Sequence, residues 1–308
     1  MPPITGFSAR CYTLSPPFLQ LWLLENFVLI TGASSGIGEQ TASLLLRHGY
    51  SVLAGVRTPG DANRLKEKHG QKLYPLLIDV TNEEQVVVAR NEAERLIGDN
   101  ALVAIINNAG MVVSGAVLYI PIEEWRNQLE VNLFGVIRIT QRFFPLLKTE
   151  NAAHLHPRRI INISSISGLF ASPFVGAYAA SKYALEAMSD SLRRELFMYN
   201  IQVVLIEPGN IRTPIWAKAK STPTYYGPEY DAILEFKDRV IENNIASGFE
   251  PPALDQVIMK AVKSKKVKAR YLVMPRKWKF QLMRLLPLSM VDKMIRKRLQ
   301  SRSGIRPF

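Results

Sequence analysis

Six short apolar runs punctuate the chain, and amphipathic or polar stretches fill the gaps between them. The runs are FVLIT (27–31), SVLAGV (Ser51–Val56), LYPLLIDV (73–80), ALVAIIN (Ala101–Asn107), RIINIS (159–164) and IQVVLIE (201–207). Each is continuous rather than alternating, which is the pattern of a strand buried on both faces. Helical spacing marks 39–48, 82–96, 121–147 and 177–199. Strands that alternate with helices predict an α/β fold with a doubly wound parallel sheet. No internal repeat or low-complexity segment interrupts the alternation.

The charge is not evenly spread. The chain has 308 residues and a formal net charge of +13. Fifteen Lys and Arg and one acid, Asp292, fall within 263–308, leaving −1 for the first 262 residues. The reading is therefore an N-terminal extension (1–26), one main domain (27–262) with a substrate lid at 211–250, and a basic amphipathic C-terminal tail (263–308). Apolar residues are interleaved with the tail's cations. Peripheral contact with an anionic membrane through 263–308 is one reading, and simple packing is another. Nucleic acid ranks last, because no reading module accompanies the charge.

A single cysteine, Cys11, excludes an intrachain disulfide and a cysteine-built metal site. The four histidines lack metal-ligand spacing, so no metal is expected. Phe18–Leu24 is apolar but too short for the roughly 20 residues of a membrane span. It has no basic leader before it, so a cleaved signal is not expected. The expected location is intracellular and cytoplasmic, with membrane association left open.

TGASSGIG (31–38) follows the first predicted strand and opens the first predicted helix. Glycines there allow a tight turn, and the helix N-terminus offers unpaired N–H groups to a phosphate. Gly32, Ser34, Ser35, Gly36, Ile37 and Gly38 are thus candidates for binding a dinucleotide in a Rossmann-like fold. Arg57, at the end of the second run, suits a ribose 2′-phosphate and places NADP(H) ahead of NAD(H). Asp61 lies close enough to keep NAD(H) open. Asp79 and Val80 end the third run, where a carboxylate can accept from an adenine amine. Asn108, Ala109 and Gly110 end the fourth with small or polar groups.

The acid–base candidates are Ser165 in INISSISG, the helical pair Tyr178 and Lys182 in YAASK, and Asn132 in LEVNLFG. Residues i and i+4 share a helix face, so phenol and ammonium project together. A free phenol has a pKa of about 10, too high for a base near neutrality. A cation beside it favours the phenolate.

With PGNIRTP (Pro208–Pro214), these motifs in this order resemble the short-chain dehydrogenase/reductase family over about 27–214. LAGVR, YAASKYALEAMSDSLRREL and IEPGNIRTPIW look closest to its retinol, 17β-hydroxysteroid and 3-hydroxybutyrate dehydrogenase-like branch. The resemblance implies an NADP(H)-dependent oxidoreductase that interconverts an alcohol and a carbonyl. Tyr178 would exchange the proton, and Lys182 would bind the nicotinamide ribose and lower the phenol's pKa. Ser165 would bond the substrate oxygen. Asn132 would hold a water leading to Lys182. Thr213 and the backbone near Ile211 would hold the carboxamide, and Pro208 and Gly209 would also bind the cofactor. The family's frequent homo-oligomers are compatible with this chain.

Trp216, Tyr225, Tyr226, Tyr230 and Phe236 give the lid an aromatic composition that suits a lipophilic substrate or internal packing. Two rival functions remain: a cofactor-binding regulatory protein without turnover, and a nucleotide-sugar epimerase-type enzyme.

Overall fold

The computed structural model describes residues 25–148, 158–215, 225–227, 230 and 248–303. The expectations for 1–24, Trp216 and Phe236 fall outside the described residues. All six apolar runs form strands: β1 (Asn26–Thr31), β2 (Ser51–Val56), β3 (Leu73–Leu77), β4 (Ala101–Asn107), β5 (Arg158–Ile163) and β6 (Ile201–Pro208). A seventh, β7 (Arg270–Val273), joins them from inside the stretch expected to be a tail. All pairings are parallel, in the order β3-β2-β1-β4-β5-β6-β7.

The helices are α1 (Gly36–Arg47), α2 (Pro59–His69), α3 (Glu83–Ile97), α4 (Ile122–Leu129), α5 (Gly135–Lys148), α6 (Gly176–Glu195), α7 (Asp255–Lys263), α8 (Lys277–Met283) and α9 (Leu288–Ser303). The run expected to be one helix over 121–147 is two, joined by a π-turn at Glu130–Phe134. Two apolar clusters cover the two faces of the sheet. Val28, Ile30, Val52, Ile161 and Ile206 belong to one, and Leu29, Leu53, Ile105, Ile160 and Val203 to the other. Neighbouring residues of each strand thus point into opposite cores, which is why the runs have no polar alternation.

The strand order reverses between β1 and β4. Open α/β sheets bind ligands at such a point, outside the carboxyl ends of the strands. Arg159, on β5, is fully buried and ties α7 to the sheet. Its Nε donates to Ala261 O (3.1 Å) and its Nη2 to Ser264 O (2.6 Å). Burial pulls its pKa down to about 10.

Candidate active site

A cavity of about 430 Å³ opens at this switch point. Gly32, Ser34, Ser35, Gly36 and Ile37 line it from the turn between β1 and α1. Gly36 has φ +57°, and a Cβ there would sit 3.2 Å from Thr213 Cβ. Gly38 does not line the cavity. A Cβ on it would lie 2.2 Å from Gly32 O, so the residue lets the helix start close against the turn. Asn108 fastens the opposite wall, with Nδ2 3.0 Å from both Thr31 O and Gly32 O. Thr31 Oγ1 accepts from Asn108 N and Ala109 N.

Every other cofactor-binding candidate lines the cavity: Arg57, Asp79, Val80, Asn108, Ala109, Gly110, Tyr178, Lys182, Pro208, Gly209, Ile211 and Thr213. Asp61 does not. It is held by Thr58, whose Oγ1 donates to Asp61 Oδ2 at 3.0 Å, and lies 3.6 Å from Arg64. Sequence reasoning missed Gly55, Ile78, Met111, Val112, Val131, Ile163, Pro214 and Ile215 on the wall. Most of them are apolar, and their residue types carry no chemical signal. Their only clue is that they sit next to the candidates in the chain.

Ser165 ends the segment after β5 and caps a short 3-10 turn (Ile166–Gly168), its Oγ accepting from Ser167 N at 3.1 Å. That leaves the hydroxyl proton free to point elsewhere, and Ser165 shares the cavity wall with Tyr178. Tyr178 and Lys182 are both buried on α6. Lys182 Nζ stands 5.8 Å from the Tyr178 ring centroid.

The phenol's pKa differs from expectation. Burial pushes Tyr178 above the ordinary phenol value, and the Ser165 hydroxyl only partly opposes this. Desolvation of the phenolate is the largest cause. The same burial pushes Lys182 down to about 8, against the pull of Glu186.

Asn132 stands behind the cavity wall. Its Oδ1 accepts from Met111 N (2.9 Å), and its Nδ2 donates to Met111 O (3.0 Å) and Ser181 Oγ (3.1 Å). Ser181 Oγ in turn donates to Tyr178 O at 2.7 Å. The π-turn aims this amide inward, and the amide braces the backbone of α6.

Of the lid, Tyr226 and Tyr230 pack on Phe174, with ring centroids 5.4 and 5.8 Å apart. Tyr230 also meets Tyr119 edge-on at 6.1 Å. Ile215 is the described lid residue beyond Pro214 that reaches the cavity.

The turn of small residues fits a pyrophosphate, since side chains there would fill the cradle. A phenol, a hydroxyl and an ammonium converge beside it. The arrangement suits a dinucleotide-dependent α/β enzyme working on an oxygen-bearing carbon. Known proteins agree. The short chain dehydrogenase family model matches residues 26–224. The NADPH-dependent 3-dehydrocapnine reductase of Ornithobacterium rhinotracheale is 38% identical over 277 residues, 89% of this chain and 98% of its own. The 17-beta-hydroxysteroid dehydrogenase type 6 of Bos taurus is 40% identical over 200 residues, 64% of this chain and 61% of its own. A short chain dehydrogenase/reductase from Burkholderia phymatum, solved in complex with NAD, shares the fold with TM-score 0.73 at 21% identity. That match covers 92% of this chain and 98% of the other. The chain belongs to the short-chain dehydrogenase/reductase family, near the hydroxysteroid and retinol dehydrogenases. It is an oxidoreductase acting on CH–OH groups.

Proposed function

We propose that the protein interconverts a lipophilic alcohol and its carbonyl with NADP(H), using Tyr178 as proton donor and acceptor. One observation carries this reading: Ser165, Tyr178 and Lys182, all buried, meet on the wall of the cavity that the glycine turn opens. A bound nicotinamide supplies or accepts the hydride. Ser165 donates to the substrate oxygen, and Tyr178 gives or takes the proton there. Lys182, anchored on Ile163 O, holds a positive charge beside the phenol and reaches the ribose. Gly32, Ser34, Ser35, Gly36 and Ile37 cradle the pyrophosphate. Pro208, Gly209, Ile211 and Thr213 face the carboxamide end, and Asn132 positions α6.

Arg57 lines the cavity while Asp61 is engaged elsewhere, which supports NADP(H). A relative named as NADPH-dependent supports the same choice. Relatives named for steroid and retinol substrates support a lipophilic carbonyl.

Peripheral membrane contact is part of the proposal. On α8, Trp278 and Leu282 share an exposed face, while Phe280 turns inward against Phe170 at 6.4 Å. Cations Lys277, Lys279 and Arg284 surround them. Among the described residues no helix is long and apolar enough to cross a membrane. Sedimentation with anionic vesicles tests this: Trp278→Ala with Leu282→Ala should release the protein, and unchanged binding would defeat the contact.

The test of function is consumption of NADPH and NADH, followed by absorbance, against steroid, retinoid, fatty and sugar carbonyls. A preference for NADPH and an apolar carbonyl is expected. Preference for a small polar sugar would reject the substrate class.

A further inference from the structure

Behind the cavity lies a buried charge cluster to which the reaction gives no role. Tyr178, Lys182, Glu186 and Asp190 recur every four residues on α6, so they form one stripe. Glu186 meets Glu207 of β6, and both are buried. Arg270 of β7 reaches all the acids nearby. Its Nε is 3.0 Å from Glu186 Oε2 and 3.3 Å from Glu207 Oε1, and its Nη2 is 3.0 Å from Asp190 Oδ2. Asp190 also pairs with Arg193 at 3.3 Å, and Arg284 faces Glu207 from beyond α8.

This leaves two acceptors over. Glu186 Oε1 and Glu207 Oε1 are buried and accept no hydrogen bond; the Arg270 Nε–H that lies 3.3 Å from Glu207 Oε1 bonds Glu186 Oε2 instead. Both carboxyl groups lie against the same Arg270 Nε, so they are neighbours, and a proton on one of them would supply the donor that the two orphaned oxygens lack. Ionised carboxylates only accept, so two of them can bond to each other only when one carries a proton.

We propose that Glu186 and Glu207 form a carboxyl pair holding a single proton, and that this pair, through Glu186, sets the charge of Lys182. Glu207 is a positioning residue in this scheme; it touches neither substrate nor cofactor. Burial, and then the Glu186 charge, push Glu207 up to about 7, while Arg270 and Arg284 oppose them. Lys182 titrates at about 8. The pair and Lys182 thus titrate close together. The negative charge gained one helical turn away holds the ammonium in place against its own burial.

The consequence for turnover rests on the oxidoreductase reading, but the titrations do not. They are read in the cofactor-free, full-length chain labelled with 13C-lysine. The Lys182 Cε signal is followed by NMR and assigned with Lys182→Arg. Glu186→Gln should lower the Lys182 midpoint by about one pH unit, since an opposite charge nearby favours the ammonium. Glu207→Gln keeps an N–H to offer Glu186 but fixes the pair at one charge. It should lower the midpoint by less, and it guards against misfolding of the first variant.

Thermal unfolding gives a second readout. The folded pKa of Glu207 is raised above the ordinary carboxylate value of 4.5, so the fold binds its proton more tightly than the unfolded chain. Stability should fall as pH rises from 4.5 to about 7. Glu207→Gln should flatten that slope. An unmoved Lys182 midpoint in both variants, or a wild-type slope in Glu207→Gln, overturns the proposal. Failure of every carbonyl in the panel would defeat the oxidoreductase reading and leave these titrations standing.

Discussion

Lys182 Nζ donates to the main-chain oxygen of Ile163 at 2.8 Å. The bond joins α6 to the end of β5, two residues before Ser165. One strand terminus therefore fixes the ammonium and the serine hydroxyl together. The phenol between them needs no loop of its own to hold it, and such rigid support is what proton transfer requires.

Removing the phenolic oxygen isolates the chemistry. Tyr178→Phe should lower kcat by about 10²–10⁴-fold, the usual worth of a positioned acid–base group. NADPH affinity, measured by fluorescence titration, should stay within a few-fold of the parent. Near-normal turnover would remove Tyr178 from its role.

The cation's titration should be visible in the rate. Lys182 sits at about 8, so a step that needs the ammonium fades as pH climbs through that value. Lys182→Arg keeps a charge that does not titrate in this range. A slower enzyme whose kcat/KM no longer falls between pH 7 and about 9 is expected. The same alkaline limb in both proteins would assign it to another group.

Cofactor choice should follow one guanidinium. A charge-assisted hydrogen bond contributes about 1.5–3 kcal/mol, so Arg57→Glu should weaken NADPH by roughly 10–100-fold. NADH should lose little. Equal losses for both cofactors would show that Arg57 does not contact the 2′-phosphate.

Arg159 supports the fold away from the site. Arg159→Met strands the carbonyls of Ala261 and Ser264 inside the protein. The cost should be about 3 kcal/mol, read as a Tm lowered by about 5–10 °C. A change under a degree would mean those carbonyls find other donors.

The sheet was legible because a parallel strand covered on both sides is buried at every position, as β2 and β4 are, and so is apolar along nearly all its length. β7 was hidden for the opposite reason. RYLV is four residues long, partly exposed, and set among lysines and arginines. Helix α2 also carried no signal, since Leu65 is its single buried residue. The site residues stood out by chemical type and order. The inward aim of Asn132 depends on a π-turn, and a sequence pattern does not encode one. The raised pKa of Tyr178 depends on desolvation, which exists only once the chain is packed.

Where the basic stretch begins looks, on charge alone, like a natural place to trim the gene. β7 argues against that cut. Stopping at 262 would strip β6 of its neighbour and leave a row of bare peptide groups along a hydrophobic rim. Such a shortened product should clump in the expression host, and its insolubility could be mistaken for loss of a membrane anchor.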